Sequence, residues 1–231
     1  MKNLAIIPVR IGSKRLPKKN ILPFGGLPMF VHTYNHAVES GLFDQILVST
    51  ESDEVISICD EFNIPIPFKR PDLLATDSAQ LVSVIDDCLD RFNSEGKNFE
   101  NFCLLWATAP LRSAKHILEA YEILENDRTL DGVLGTTTYN KSVFSAMLIN
   151  EFGLLEPVFP QQIRARRTEQ PTVVVDNSSM VWNRVTSFLR HKTWLPPKLA
   201  QYPMPATCSV DLDTEEDLRL LEFYTLEINR R

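Results

Sequence analysis

LAIIPVRIGSKRLPKKN, residues 4–20, decides how the rest of the chain is read. Leu4 to Val9 is a short apolar run without polar alternation, the pattern of a strand buried on both faces. Arg10 ends the run. Arg10, Lys14, Arg15, Lys18 and Lys19 then fall within ten residues. A cationic loop at the end of a buried strand is where an α/β protein holds a polyphosphate. Pro17 stiffens that loop, so its charges lose less entropy on binding. The loop is not a Walker P-loop, because GxxxxGK[ST] fails after Gly12, and it lacks the dinucleotide fingerprint GxGxxG. Phosphate binding here rests on side-chain charge, helped by the amides around Gly12 and Ser13.

The positive charge is local. The 231-residue chain carries 24 basic and 30 acidic side chains, a formal net charge of -6. That balance argues against a general nucleic-acid binder, which shows a broad basic face. The length allows one substantial core, and 44% hydrophobic content is ordinary for a globular enzyme. Cys59, Cys88, Cys103 and Cys208 form no CxxC pair and sit among apolar or helix-patterned neighbours, so reduced thiols are expected. The N-terminal apolar run is too short for a signal peptide. No stretch approaches the ~18 apolar residues of a membrane span. A cytoplasmic protein is the expectation.

Outward from the first strand, apolar runs alternate with helix-patterned segments. Residues 28–40 read as a helix capped by Gly41, 45–49 as a strand, and 52–62 as a helix begun by a Ser/Asp cap. Residues 66–68 read as a short third strand, 79–92 as a helix, and 102–107 as a strand. A helix over 114–124 and a strand over 131–136 follow. The alternation predicts an α/β fold: a doubly wound, mostly parallel sheet with helices on both faces. After Thr138 the pattern changes. Two antiparallel strands, 145–149 and 154–158, precede the arginine-rich QQIRARRTEQ at 161–170. Strand character returns at 179–183, and a helix over 215–227 closes the chain. One domain spanning 1–231 with an inserted arm at about 139–175 is expected.

Three further segments carry chemistry. In Asp211-Leu212-Asp213, alternate residues of an extended segment point the same way, so both carboxylates converge. Such a pair repels unless a cation lies between, and hard oxygen ligands suit Mg²⁺. The same residues read equally as the cap of the helix near Thr214. RPDLLATD, residues 70–77, sets Arg70 beside a turn and Asp77 before a helix that it could cap. LLWATAPLR, residues 104–112, is a strand end followed by a polar turn with Thr108 and Arg112. Ligands of doubly wound sheets bind at the carboxyl ends of strands, where Arg10, Arg70, Thr108 and Asp211 would gather.

IIPVRIGSKRLPKKNI at 6–21 resembles the N-terminal signature of the CMP-sialic acid synthetases, the acylneuraminate cytidylyltransferases. RPDLLATDSA, LLWATAPLR and SVDLDTEEDL follow in the order that family requires, so the resemblance spans essentially the whole chain. It implies a Rossmann-like nucleotidyltransferase (GT-A-like) fold and a homodimer formed through the inserted arm. It implies activation of a nonulosonic acid by CTP, with release of pyrophosphate and formation of a CMP-sugar. Arg10 and Lys19 then match the pair on the triphosphate, and Ser13, Lys14 and Asn20 match other loop contacts to the nucleotide. Arg70 matches the arginine near cytosine and ribose. Asp211 and Asp213 match the Mg²⁺ ligands, with Mn²⁺ as a substitute. Arg167 corresponds to an arm arginine reaching a neighbouring sugar site.

Two departures bear on the sugar. The sialic acid enzymes read LLQPTSPLR where this chain has Trp106 and Ala107. They carry Arg-Pro-Asn-Gly where this chain has Val175-Asp176-Asn177-Ser178. The ATAP version and the aspartate are closer to pseudaminic acid cytidylyltransferases, so pseudaminic, legionaminic or sialic acid is the implied substrate. A CMP-Kdo synthetase or another sugar nucleotidyltransferase is the alternative within enzymes, and GSKRLPKKN favours the nonulosonic group. A non-catalytic protein using the loop as an anionic docking patch would make the paired aspartates dispensable.

Overall fold

In the computed structural model, which describes residues 1–138 and 142–229, the opening apolar run is strand β1 (Asn3–Pro8). Successive side chains point to opposite faces, so Leu4 and Ile6 enter one core and Ala5 and Ile7 the other. The hairpin β2 (Pro23–Phe24) and β3 (Leu27–Pro28) leads into helix α1 (Met29–Ser40). Gly41 ends α1 at φ 64°, a left-handed conformation open to glycine. Strand β4 (Gln45–Ser49) and helix α2 (Asp53–Glu61) follow, and Ser52 caps α2 by accepting the Val55 N–H. Then come α3 (Leu81–Ser94), β5 (Asn101–Leu105), α4 (Ala114–Asn126) and β6 (Gly132–Thr137). The hairpin β7 (Met147–Ile149) and β8 (Leu155–Pro157) interrupts the alternation. The chain finishes with β9 (Val175–Arg184), α5 (Val185–His191), β10 (Leu199–Pro203) and α6 (Glu215–Asn229).

The main sheet has six strands in the order β10-β6-β9-β5-β1-β4. Strands β4, β1 and β5 are mutually parallel, as are β6 and β10, while β9 runs antiparallel to both neighbours. The expected mostly parallel sheet is therefore present, with one reversed strand. Helices α1, α2 and α4 cover one face through Phe30, Val55, Ile117 and Leu124. Helices α3 and α5 cover the other through Ile85, Phe92 and Phe188. Gly132 lets β6 approach β9, since a Cβ there would lie 2.6 Å from the Trp182 carbonyl oxygen.

Some expectations fail for identifiable reasons. Residues 66–68 form no strand. Pro65 precedes the segment and Pro67 sits inside it, and neither can donate to a ladder. Phe68 packs edge-on against Phe92, at 5.1 Å between ring centroids, instead. The strand expected at 179–183 begins four residues earlier and is reversed. Asp77 does not cap α3, whose N-cap is Gln80. Residues 139–141 of the expected arm lie outside the described residues.

The parallel strands end along one edge of the sheet. Strand β1 delivers Arg10 there, β4 delivers Thr50 and Glu51, and β5 delivers Trp106 and Thr108. Strand β9, being reversed, begins at the same edge and brings in Ser178. The chain passes from β1 to β4 on one side and returns to β5 on the other, so a topological switch point lies between β1 and β5.

Candidate active site

A cleft of about 510 Å³ opens at this edge. Seven of the nine residues singled out in the sequence line it: Arg10, Lys19, Asn20, Arg70, Thr108, Asp211 and Asp213. Ser13 and Lys14 do not. The Ser13 N–H donates to the Ile11 carbonyl across a tight turn, at 3.0 Å. Lys14 is exposed on the rim, its Nζ 2.6 Å from Asp77.

The basic loop and the acidic segment are joined by a small core. Leu212 is fully buried beside Phe24, Met29 and Leu221, and Leu16 of the loop packs against the same cluster. Anchoring Leu212 inward turns its neighbours Asp211 and Asp213 toward the cleft. The two readings of these aspartates separate here. Thr214 and Asp217 cap α6 reciprocally: the Asp217 N–H donates to Thr214 Oγ1 at 3.3 Å, and Asp217 Oδ2 accepts from the Asp213 and Thr214 N–H groups at 3.0 and 2.8 Å. Neither Asp211 nor Asp213 is the cap.

Each of the five loop cations meets a carboxylate. Lys19 and Arg15 take the two oxygens of Asp213, both at 2.6 Å. Arg10 and Lys14 take the two oxygens of Asp77, at 2.9 and 2.6 Å. Lys18 binds Glu54 at 2.7 Å. The Lys14 and Arg10 charges hold the Asp77 carboxyl below its ordinary range. Asn20 is buried and fixes the loop by donating to the Arg10 carbonyl at 2.8 Å. Arg70 is also buried. Its guanidinium donates to the hydroxyl and carbonyl of Ser49 and lies 3.8 Å from Glu51. These contacts hold Arg70 in the cleft wall.

Asp211 is the buried member of the acidic pair. Burial pushes its pKa up, against the opposing pull of Thr108, Lys19 and Ser178. Its Oδ1 is buried without a hydrogen-bond partner among the described residues. A carboxylate oxygen left this way is suited to a cation. No cluster of three or more His, Cys, Asp or Glu able to hold a metal occurs among the described residues. Two carboxylates and no more are what Mg²⁺ commonly takes from a protein when substrate phosphates and water complete its shell. The donor set fits that ion.

Several residues here were not singled out for the site. Arg15 and Asp77 line the cleft, as does Trp106, whose indole meets Trp194 at 5.4 Å. The run of charge already includes Arg15, as one of the loop's five cations. Nothing local in the sequence distinguishes Ser178, which takes φ 50° in β9 and lines both this cleft and an adjoining one. The second cleft, about 750 Å³, also reaches Asp211 and is walled by Asp176, Asn177 and Tyr224. Arg167 is in neither. It lines a separate hollow with Ser142 and Gln170.

The histidines serve the framework. His32 bonds the Phe24 carbonyl at 2.8 Å, and His116 accepts from the Ser113 N–H at the start of α4. His36 is pushed down to about 4, chiefly by burial and then by Arg112. Cys59, Cys88, Cys103 and Cys208 are all free thiols.

A profile of the cytidylyltransferase family matches residues 4–192. The pseudaminic acid cytidylyltransferase of Campylobacter jejuni (serotype O:23/36) is 27% identical over 219 residues, 94% of each chain. An N-acylneuraminate cytidylyltransferase of Streptococcus agalactiae (serotype V) is 35% identical over 94% of this chain and 52% of its own length. Among solved structures, a CMP:2-keto-3-deoxy-manno-octonic acid synthetase complexed with CTP superposes over 100% of both chains. Its TM-score is 0.70 at 15% identity, a likeness of fold.

Proposed function

The chain belongs to the cytidylyltransferase family, and from that premise we propose that it is a CTP-dependent CMP-sugar synthetase acting on a nonulosonic acid of the pseudaminic, legionaminic or sialic type. The observation that carries this reading is the cleft itself. Arg10, Arg15 and Lys19 of the basic loop line it together with Asp211 and Asp213, at the carboxyl ends of parallel strands. The anomeric hydroxyl oxygen of the sugar bonds to the α-phosphorus of CTP. The bond from that phosphorus to the bridging oxygen breaks, pyrophosphate leaves, and the hydroxyl proton passes to water. Arg10 and Lys19 meet the negative charge growing on the pyrophosphate, with Ser13, Lys14 and Asn20 fixing the loop around it. Arg70 lines the nucleoside side. Asp211 and Asp213 would hold Mg²⁺ or Mn²⁺, which would supply charge neutralisation for the phosphates. The sugar is assigned to the second cleft, because that space adjoins the nucleotide cleft at Asp211.

We read residues 1–231 as one cytidylyltransferase domain and its arm, at about 139–175, as a homodimer contact. The support is the hairpin β7–β8, which leaves Ile149 75% and Phe152 77% exposed beside Leu148, Leu154 and Leu155. An apolar patch of this kind marks an interface. No helix among the described residues is long and apolar enough to cross a membrane. We place the activity in the cytoplasm, where CTP is available. Phosphorus NMR of CTP, Mg²⁺ and each acid sugar tests the reaction class. A new CMP phosphodiester resonance formed together with pyrophosphate is expected. Hydrolysis of CTP without a sugar-linked product contradicts it.

A further inference from the structure

Arg112 is fully buried, yet no carboxylate pairs with it among the described residues. Its NH1 donates to the Ser179 carbonyl, and also lies 3.4 Å from Ser179 Oγ and 3.5 Å from the Trp106 carbonyl. Nε and NH2 have no partner among the described residues. Removing one charge from water without an opposite charge is expensive, so the position is costly to maintain. A methionine or leucine would fill a core position at less cost.

The carbonyls that the guanidinium holds are at a junction. The Ser179 carbonyl already accepts the Trp106 N–H at 3.1 Å, the last rung joining β5 to β9. The Trp106 carbonyl also accepts from Thr33 Oγ1 at 3.2 Å. Beyond this rung each strand end brings a hydroxyl residue to the cleft that Asp211 lines. Thr108 comes from the β5 side, and its carbonyl accepts the Leu212 N–H at 3.0 Å. Ser178 comes from the β9 side, in the left-handed conformation at φ 50°. Thr108, Ser178 and Asp211 line the same cleft.

We propose that Arg112 is a positioning residue for the metal-binding carboxylate. Its guanidinium clamps the ends of β5 and β9, so that Thr108 and Ser178 hold Asp211 in one orientation. The inference rests on the assignment of Asp211 to the metal given above. Arg112 lines neither cleft. Its effect travels through two carbonyls and two hydroxyls.

The test is Mn²⁺ binding in the presence of CTP and without sugar, read from loss of the free-ion EPR signal. Wild type, Arg112→Lys and Asp211→Asn are compared, with melting temperature on the same samples. Outer-shell partners of metal ligands commonly change affinity by 10- to 100-fold, and Arg112→Lys should weaken Mn²⁺ by about 10-fold. CTP affinity measured without metal should stay near wild type, because the loop is untouched. A variant that melts lower but binds Mn²⁺ like wild type makes Arg112 a packing residue and overturns the proposal. Should Asp211→Asn also bind like wild type, the metal assignment itself fails. If Arg112→Lys does not fold, Thr33→Val loosens the same Trp106 carbonyl, and unchanged Mn²⁺ affinity in it overturns the clamp.

Discussion

Lys19 Nζ stands 2.6 Å from Asp213 Oδ1, and the two residues are 194 positions apart in the chain. The contact joins the basic loop to the acidic segment before any nucleotide is bound. Arg15 takes the other oxygen of Asp213. Under the proposed function, a triphosphate entering the cleft would replace a carboxylate as the partner of Lys19, and the freed carboxylate would become available to a cation.

Replacing Lys19 or Arg10 with alanine should damage turnover far more than folding. Little core area depends on either side chain. Loss of a charge directed at the developing pyrophosphate costs on the order of 10²-fold or more in rate. Turnover and melting temperature on the same proteins check this. Near wild-type turnover would reduce the loop to a solvated turn.

Asp77 holds Arg10 and Lys14, so under the proposed function it would compete with the nucleotide for them. Asp77→Asn should lower the KM for CTP and leave the melting temperature close to wild type, since exposed ion pairs contribute little stability. The gain should shrink with added salt, as screening weakens both contacts. A raised KM would show instead that Asp77 holds the two cations in their binding geometry.

Asp211→Asn should abolish catalysis and stabilise the metal-free protein at neutral pH. Burial raises the Asp211 pKa above the value of an unfolded chain. Between those two values the native state holds more protons than the unfolded one. Stability therefore falls as pH rises through that window. The uncharged amide escapes the penalty, so thermal unfolding in chelator should show a flatter pH dependence for the variant. Asp213→Asn should also lose turnover while keeping part of its CTP affinity. Helix capping is not at stake in either, because Thr214 performs it.

His36 predicts the opposite slope. Burial holds its pKa down to about 4, against about 6.5 in an unfolded chain. The unfolded state binds more protons between these values, so stability rises with pH there. The contribution is fully present above about pH 6.5 and is lost as pH falls through about 4. Its full size is on the order of 3 kcal/mol. His36→Gln should remove this acid sensitivity, measured by denaturant unfolding across the window. An unchanged pH profile would place the sensitivity in another group.

The paired substitution Ile149→Asp and Leu155→Asp should convert a dimer to monomer with the fold intact. Both residues are opposite each other in the β7–β8 hairpin and are exposed. Light scattering at micromolar concentration decides. A wild-type monomer under those conditions would remove the arm's proposed role.

The alternation of apolar runs with helical spacing made β1, α1, β4, α4 and β6 legible nearly to their ends, because each is built from local periodicity. Strand β9 was legible as a strand, but its direction was not. Its reversal depends on where the arm returns the chain, and no local pattern records that. Strand β10 and helix α5 escaped notice because Leu199–Pro203 is a half-buried edge strand ending in proline, and α5 is only seven residues long. For the site, charge type and spacing singled out the loop and the aspartates. They could not show which carboxylate each cation holds, since those pairs join segments up to 198 residues apart, as Arg15 and Asp213 do. Whether the acidic pair or Thr214 caps α6 was likewise settled by side-chain direction.

The rate of pyrophosphate release decides whether the cleft is a cytidylyltransferase site for nonulosonic acids. Each nucleoside triphosphate should be offered with pseudaminic, legionaminic, sialic or Kdo acid, with Mg²⁺ and again in excess chelator. Release should require CTP, a nonulosonic acid and a divalent cation together. Equal release with ATP, full activity in chelator, or turnover of Kdo alone would contradict it.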